Sequence, residues 1–93
     1  MKLVWKFPLD PAYASPYEVR MPKGADMLTA AMQGDTLCVW AMVDPQAETV
    51  TRRFWVIGTG MSIGTGPFEQ PNMRYVGTAL ENFLVWHVFV EVE

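Results

Sequence analysis

Little in this chain advertises chemistry. A single cysteine, Cys38, among 93 residues excludes an intramolecular disulfide and a cysteine-built metal site, and suits a reducing compartment. A single histidine, His87, leaves one side chain whose ordinary pKa lies near neutrality. Lysine and arginine number 7 against 10 aspartates and glutamates, a formal charge of −3 with a pI near 5.0. The basic residues are scattered, with Arg52-Arg53 the only adjacent pair. Clustered cations that would release counterions from a nucleic acid are therefore missing, and so are the acidic runs that would imitate one. The longest apolar run, Leu37 to Val43, is far short of the roughly 20 residues that span a bilayer. The opening Met1-Lys2-Leu3-Val4-Trp5-Lys6-Phe7-Pro8 alternates rather than forming the continuous apolar stretch of a signal peptide. The expectation is a cytoplasmic protein with no nucleic-acid partner and no membrane segment.

What is present is apolar. Hydrophobic residues make up 51% and charged residues 18%, too apolar for disorder. A chain of this size buries roughly 60–65% of its unfolded surface and has room for one core, so residues 1–93 read as a single domain. Short segments rich in Val, Phe, Trp and Thr alternate with Pro, Gly, Asn and Asp, which is the vocabulary of strands and turns. Strands are expected at about Lys2 to Phe7, Tyr17 to Met21, Asp26 to Gln33, Thr36 to Val43, Glu48 to Ile57, Met73 to Ala79 and Phe83 to Glu91. Asp26 to Gln33 is ambiguous, because Met, Leu and Ala favour helix, but the segment is short and runs straight into Gly34-Asp35. Six to seven strands predict an all-β domain, a small antiparallel sandwich or partly open barrel with no long helix.

The glycine-rich stretch Val56-Ile57-Gly58-Thr59-Gly60-Met61-Ser62-Ile63-Gly64-Thr65-Gly66-Pro67 resembles a phosphate cradle only superficially. A dinucleotide fingerprint needs G-x-G-x-x-G opening a helix. Here the third glycine comes one residue late, Pro67 and Pro71 follow, and no Gly-Lys-Ser/Thr is present. The reading is a connection, with no cofactor. Cys38 and His87 could form a dyad only if folding joined them, and Leu37 and Val39 around Cys38 argue for packing. No catalytic or metal-binding set emerges, and the expectation is not an enzyme.

Aromatic and apolar residues on the second face of the strands are the remaining candidates. Trp5, Trp40, Trp55 and Trp86 lie in different strands, most expected in the core and one or two at a surface. In Thr36 to Val43, Leu37, Val39, Ala41 and Val43 oppose Cys38, Trp40 and Met42. In the last strand, Leu84, Trp86, Val88 and Val90 oppose Phe83, Val85, His87 and Phe89. One core covers one side, so the candidate binding residues are Trp40, Met42, Trp55, Phe83, Val85, His87 and Phe89. Met61, Ile63 and Phe68 join them as a glycine-hinged apolar flap. The expected partner is a protein, or a second copy in a homodimer, with a small ligand in an aromatic pocket as the alternative.

Taken together, VWKFPL, MPKGADML, LCVWAMVDP, RRFWVIGTG and LVWHVF, in this order and spacing, resemble a family of small proteins from bacteriophages, prophages and bacteria with no assigned function. The resemblance covers nearly the whole chain. It implies a strand at Asp26 to Gln33, where relatives are more β-branched, and a phage accessory or host-directed setting. Many relatives carry His-Pro after the GTG, where this chain has Met61-Ser62, so no role for a loop histidine carries over. Calorimetric titration with ATP or NAD should give no tight binding. Nanomolar or micromolar binding of either would restore the phosphate-cradle reading.

Overall fold

The computed structural model describes residues 1–9, 16–61 and 72–93. Seven strands are formed: β1 (Leu3–Leu9), β2 (Tyr17–Pro22), β3 (Asp26–Gln33), β4 (Thr36–Val43), β5 (Thr49–Gly58), β6 (Met73–Glu81) and β7 (Leu84–Glu91). All pair antiparallel, in a three-stranded sheet of order β1-β4-β3 and a four-stranded sheet of order β2-β5-β7-β6. No helix occurs among the described residues, and none there is long and apolar enough to cross a membrane. The architecture is an all-β two-sheet sandwich, as the alternation predicts.

The turns follow from their residues. Gly34 (φ 63°) and Asp35 close the β3–β4 hairpin. Gly24 (φ 80°) occupies the third position of the Pro22–Ala25 turn, where the type II geometry demands positive φ, and Ala25 N–H donates to Pro22 C=O at 3.2 Å. That turn carries the chain from one sheet to the other. Asp44 makes the return crossing, its Oδ1 accepting from Gln46 N–H at 3.0 Å in an Asx turn.

Leu9, Leu37, Val39, Ala41 and Val43 from the first sheet pack against Phe54, Ala79, Val88 and Val90 from the second, all buried. These are the period-two inner positions of their strands. Several strand ends differ from expectation by one or two residues, and two of these differences matter. β1 continues through Pro8 to Leu9, pairing Pro8 with Cys38. It is an edge strand, so the missing N–H of proline breaks no second ladder. β7 begins at Leu84, and Phe83 lies in the two-residue turn with Asn82, whose φ is 54°. Phe83 therefore belongs to a hairpin tip and not to a strand face.

The two sheets meet most closely where β3 and β6 approach. A Cβ placed on Gly77 would stand 2.6 Å from the Ala30 backbone nitrogen and 3.3 Å from its Cβ. Both strands carry a bulge beside this contact, between Met27 and Thr29 in β3 and between Tyr75 and Gly77 in β6, which bends each strand toward or away from its neighbour. Gly77→Ala should destabilise by about 1–3 kcal/mol, as overpacking against backbone does. Gly34→Ala, strained in φ but free of contacts, should cost about 1 kcal/mol. Urea denaturation of both variants checks the order, and a neutral Gly77→Ala would contradict the contact.

Candidate functional site

The solvent side of the four-stranded sheet gathers most of the unusual side chains. Register places Trp55 opposite Phe89 and Phe89 opposite Tyr75, so an aromatic row crosses β5, β7 and β6. Tyr75 and Phe89 meet edge to face with centroids 5.8 Å apart. The Arg53 guanidinium lies 5.6 Å from the Trp55 ring centre, a cation–π contact, and its Nε donates to Glu91 Oε2 at 2.5 Å.

One row along, His87 is bracketed by hydroxyls. Its Nε2 is hydrogen-bonded to Thr59 Oγ1 at 2.8 Å and its Nδ1 to Thr78 Oγ1 at 3.3 Å, and Thr78 Oγ1 is hydrogen-bonded in turn to the Tyr75 hydroxyl. Both ring nitrogens are thus engaged by neutral groups, and among the described residues no carboxylate orients the ring as the third member of a triad would. Leu80 faces Val85 in the last row before the hairpin tip. At the tip Phe83 is 101% exposed, with Leu80 at 70% and Leu84 at 51%.

The structure divides the sequence candidates between two surfaces. Trp55, Val85, His87 and Phe89 share the outer face just described, and Phe83 extends it from the turn. Trp40 and Met42 lie on the outer face of the other sheet, beside Lys6 and Val4 of β1. There Lys6 Nζ donates to Gln33 Oε1 at 2.6 Å, spanning β4 at the level of the buried Cys38. Cys38 and His87 are therefore on opposite sheets, and folding does not bring them together. Among the tryptophans, Trp86 packs against the core and donates from Nε1 to Glu81 at 3.1 Å. Trp5, in contrast, faces inward from an open edge and is 38% exposed.

Met61 follows Gly60 (φ 89°) in a turn closed by its own N–H to Gly58 C=O at 3.0 Å. Its Sδ would meet a Cβ on Gly58 at 3.0 Å, and Trp86 lies on the same side. The loop thus starts over the end of the core and not over the outer face. Ile63 and Phe68, the rest of the expected flap, lie outside the described residues.

Arg52 was missed as a site residue. It pairs with Val19 on β2, at an inner position two residues before Phe54, and is only 8% exposed. The signal was present in the sequence, because strict alternation through Val50, Arg52, Phe54 and Val56 puts a charge in the core stripe. Among the described residues, no group of three or more His, Cys, Asp and Glu side chains is arranged to hold a metal.

A family model described as "Domain of unknown function (DUF7352)" matches residues 1–93, and the chain belongs to that family. No curated protein and no solved structure matches it.

The hydrogen bond from Arg53, and then its charge, hold the Glu91 carboxyl below the ordinary glutamate range, and the same bond raises Arg53. A depressed carboxylate stabilises the fold above its unfolded pKa, and that contribution is lost as pH falls through the folded value. Arg53 is exposed and Glu91 only half-buried, so solvent screening keeps the effect small. The stability lost in Arg53→Gln relative to wild type should be present at neutral pH and shrink on acidification below the ordinary glutamate pKa. Urea midpoints across that range test it, and a difference that grows on acidification would contradict the pairing.

Proposed function

We propose that the protein is a non-enzymatic interaction module that grips a protein partner with the β6–β7 hairpin and the aromatic row beside it. The observation that carries this reading is Phe83, a phenylalanine wholly in water at the tip of a well-formed hairpin, flanked by exposed Leu80 and Leu84. Leaving such a side chain exposed forgoes roughly 1.5–3 kcal/mol of burial. A projecting aromatic that fills a pocket on a partner is the usual anchor of a protein interface. Trp55, Phe89 and Tyr75 form a second apolar cluster on the same face, divided from the tip by the hydrogen-bonded His87 hydroxyl network and bordered by the Arg53–Glu91 pair.

The motif resemblance supports the setting as that of a phage or prophage accessory protein working in the bacterial cytoplasm, on a host or phage protein. An aromatic ligand pocket has less behind it: of two clefts among the described residues, one has no aromatic residue in its lining and the other has Tyr75 alone.

Phe83→Ser separates binding from folding. With no contact to lose, its stability should stay within about 0.5 kcal/mol of wild type, while affinity for the partner falls at least about tenfold. Affinity capture from the bacterial host with both proteins, alongside sedimentation to detect a second copy as the partner, gives the comparison. Identical partners and identical association states for wild type and Phe83→Ser would end the proposal.

A further inference from the structure

Beyond the Gly77–Ala30 contact, β3 and β6 part toward their first residues, and the gap is a cleft of about 500 Å³. That size falls in the range of small-molecule sites. Its walls come from both sheets: Lys2 before β1, Gly24 and Asp26 around the β2–β3 turn, Arg52 of β5, Arg74 of β6, and Glu93 beyond β7.

Arg52 is the deepest charge in the cleft, and burial of a guanidinium is costly unless it is paired. Its Nη1 donates to Glu93 Oε1 at 2.7 Å and, more weakly, to Ala25 C=O at 3.4 Å. Its Nη2 donates to Glu91 C=O at 3.3 Å. Its Nε is buried with no hydrogen-bond partner among the described residues. Gly24 N–H, presented by the positive-φ turn, donates to the same Glu93 oxygen at 3.2 Å. Two independent donors thus converge on one carboxylate oxygen, and that carboxylate arrives on the segment after β7, whose backbone is tied by Val92 N–H to Asn72 C=O at 2.9 Å. Lys2 and Arg74 also line the cleft, and their side chains make no hydrogen bond or ion pair among the described residues. Three cations therefore face two carboxylates, Asp26 and Glu93.

We propose that this cleft binds a small polycarboxylate, and that Glu93 is the intramolecular occupant such a ligand displaces. One ligand carboxylate takes the place of the Glu93 side chain on Arg52 and Gly24 N–H, where a planar two-oxygen group suits the guanidinium fork. A second carboxylate pairs with Arg74 and Lys2, which gives the ligand an advantage over the single carboxylate of the tail. The site lies between the sheets, at the end of β6 and β7 opposite the hairpin tip, with Tyr75 of the aromatic row on its wall.

Citrate is the probe, titrated calorimetrically at ionic strength held constant with chloride, with inorganic phosphate in a second arm. Saturable citrate binding is expected for wild type. If the tail fills the site about nine-tenths of the time, removing it exposes the full affinity, so Glu93→Gln should bind about tenfold more tightly. Arg74→Gln, a change at an exposed residue that leaves Arg52 paired, should weaken citrate severalfold, and Phe83→Ser should leave it unchanged. Because Arg74→Gln keeps the buried pair intact, it tests the site even if Glu93→Gln lowers stability. Absence of saturable citrate binding, equal binding of phosphate, or unchanged affinity in both Glu93→Gln and Arg74→Gln would overturn the proposal.

Discussion

The approach of Gly77 to Ala30 is the contact on which the rest of the molecule depends. Two antiparallel sheets, with no helix between them among the described residues, are held face to face by their inner side chains, and the edge strands β3 and β6 come this close because one of them presents no side chain at the crossing. Gly77 supplies that gap, and Ala30 and Ala79 keep the surroundings small. Bulges on both strands beside the contact then let β3 and β6 diverge. The same feature that joins the sheets therefore also opens the charged cleft next to it.

A core of this size covers one side of each strand, and the two outer faces are managed differently. On the three-stranded sheet, Cys38 is buried, the Lys6–Gln33 hydrogen bond crosses above β4, and Trp40 is half-buried. On the four-stranded sheet the aromatic row is flanked by an ion pair and hydroxyls, and beyond the hydroxyl row Leu80 and Val85 lead to a hairpin tip left wholly in solvent. Solvating the polar groups while leaving Phe83 exposed makes little contribution to folding. It is the arrangement expected of a surface that meets something else.

Much of this was legible from residues alone. Asp26 to Gln33 and Thr36 to Val43 have the expected limits, because Gly34-Asp35 fixes the turn and the residue alternation fixes the faces. The inner set Leu37, Val39, Ala41 and Val43 followed from the same period. Pro8 misled because proline reads as a strand end unless the strand is known to be an edge, and edge position is a property of the whole sheet. Phe83 misled because Asn82 can adopt positive φ and carry the turn one residue further than the hydrophobic pattern suggests. Gly77 was invisible, since its role is set by a strand more than 40 residues away in the chain. Arg52 was visible as a charge in an apolar stripe, but only geometry shows that Glu93 and Gly24 answer it.

The central claim, that β3 and β6 touch through Gly77 and part beside it, is tested most directly by proton NMR of the isotopically labelled protein. Strong nuclear Overhauser contacts are expected between the Gly77 α protons and the Ala30 amide and methyl protons, with none between Met27 and Arg74 side chains across the mouth of the cleft. A spectrum in which both sheets are formed but the Gly77–Ala30 contacts are absent would contradict the account.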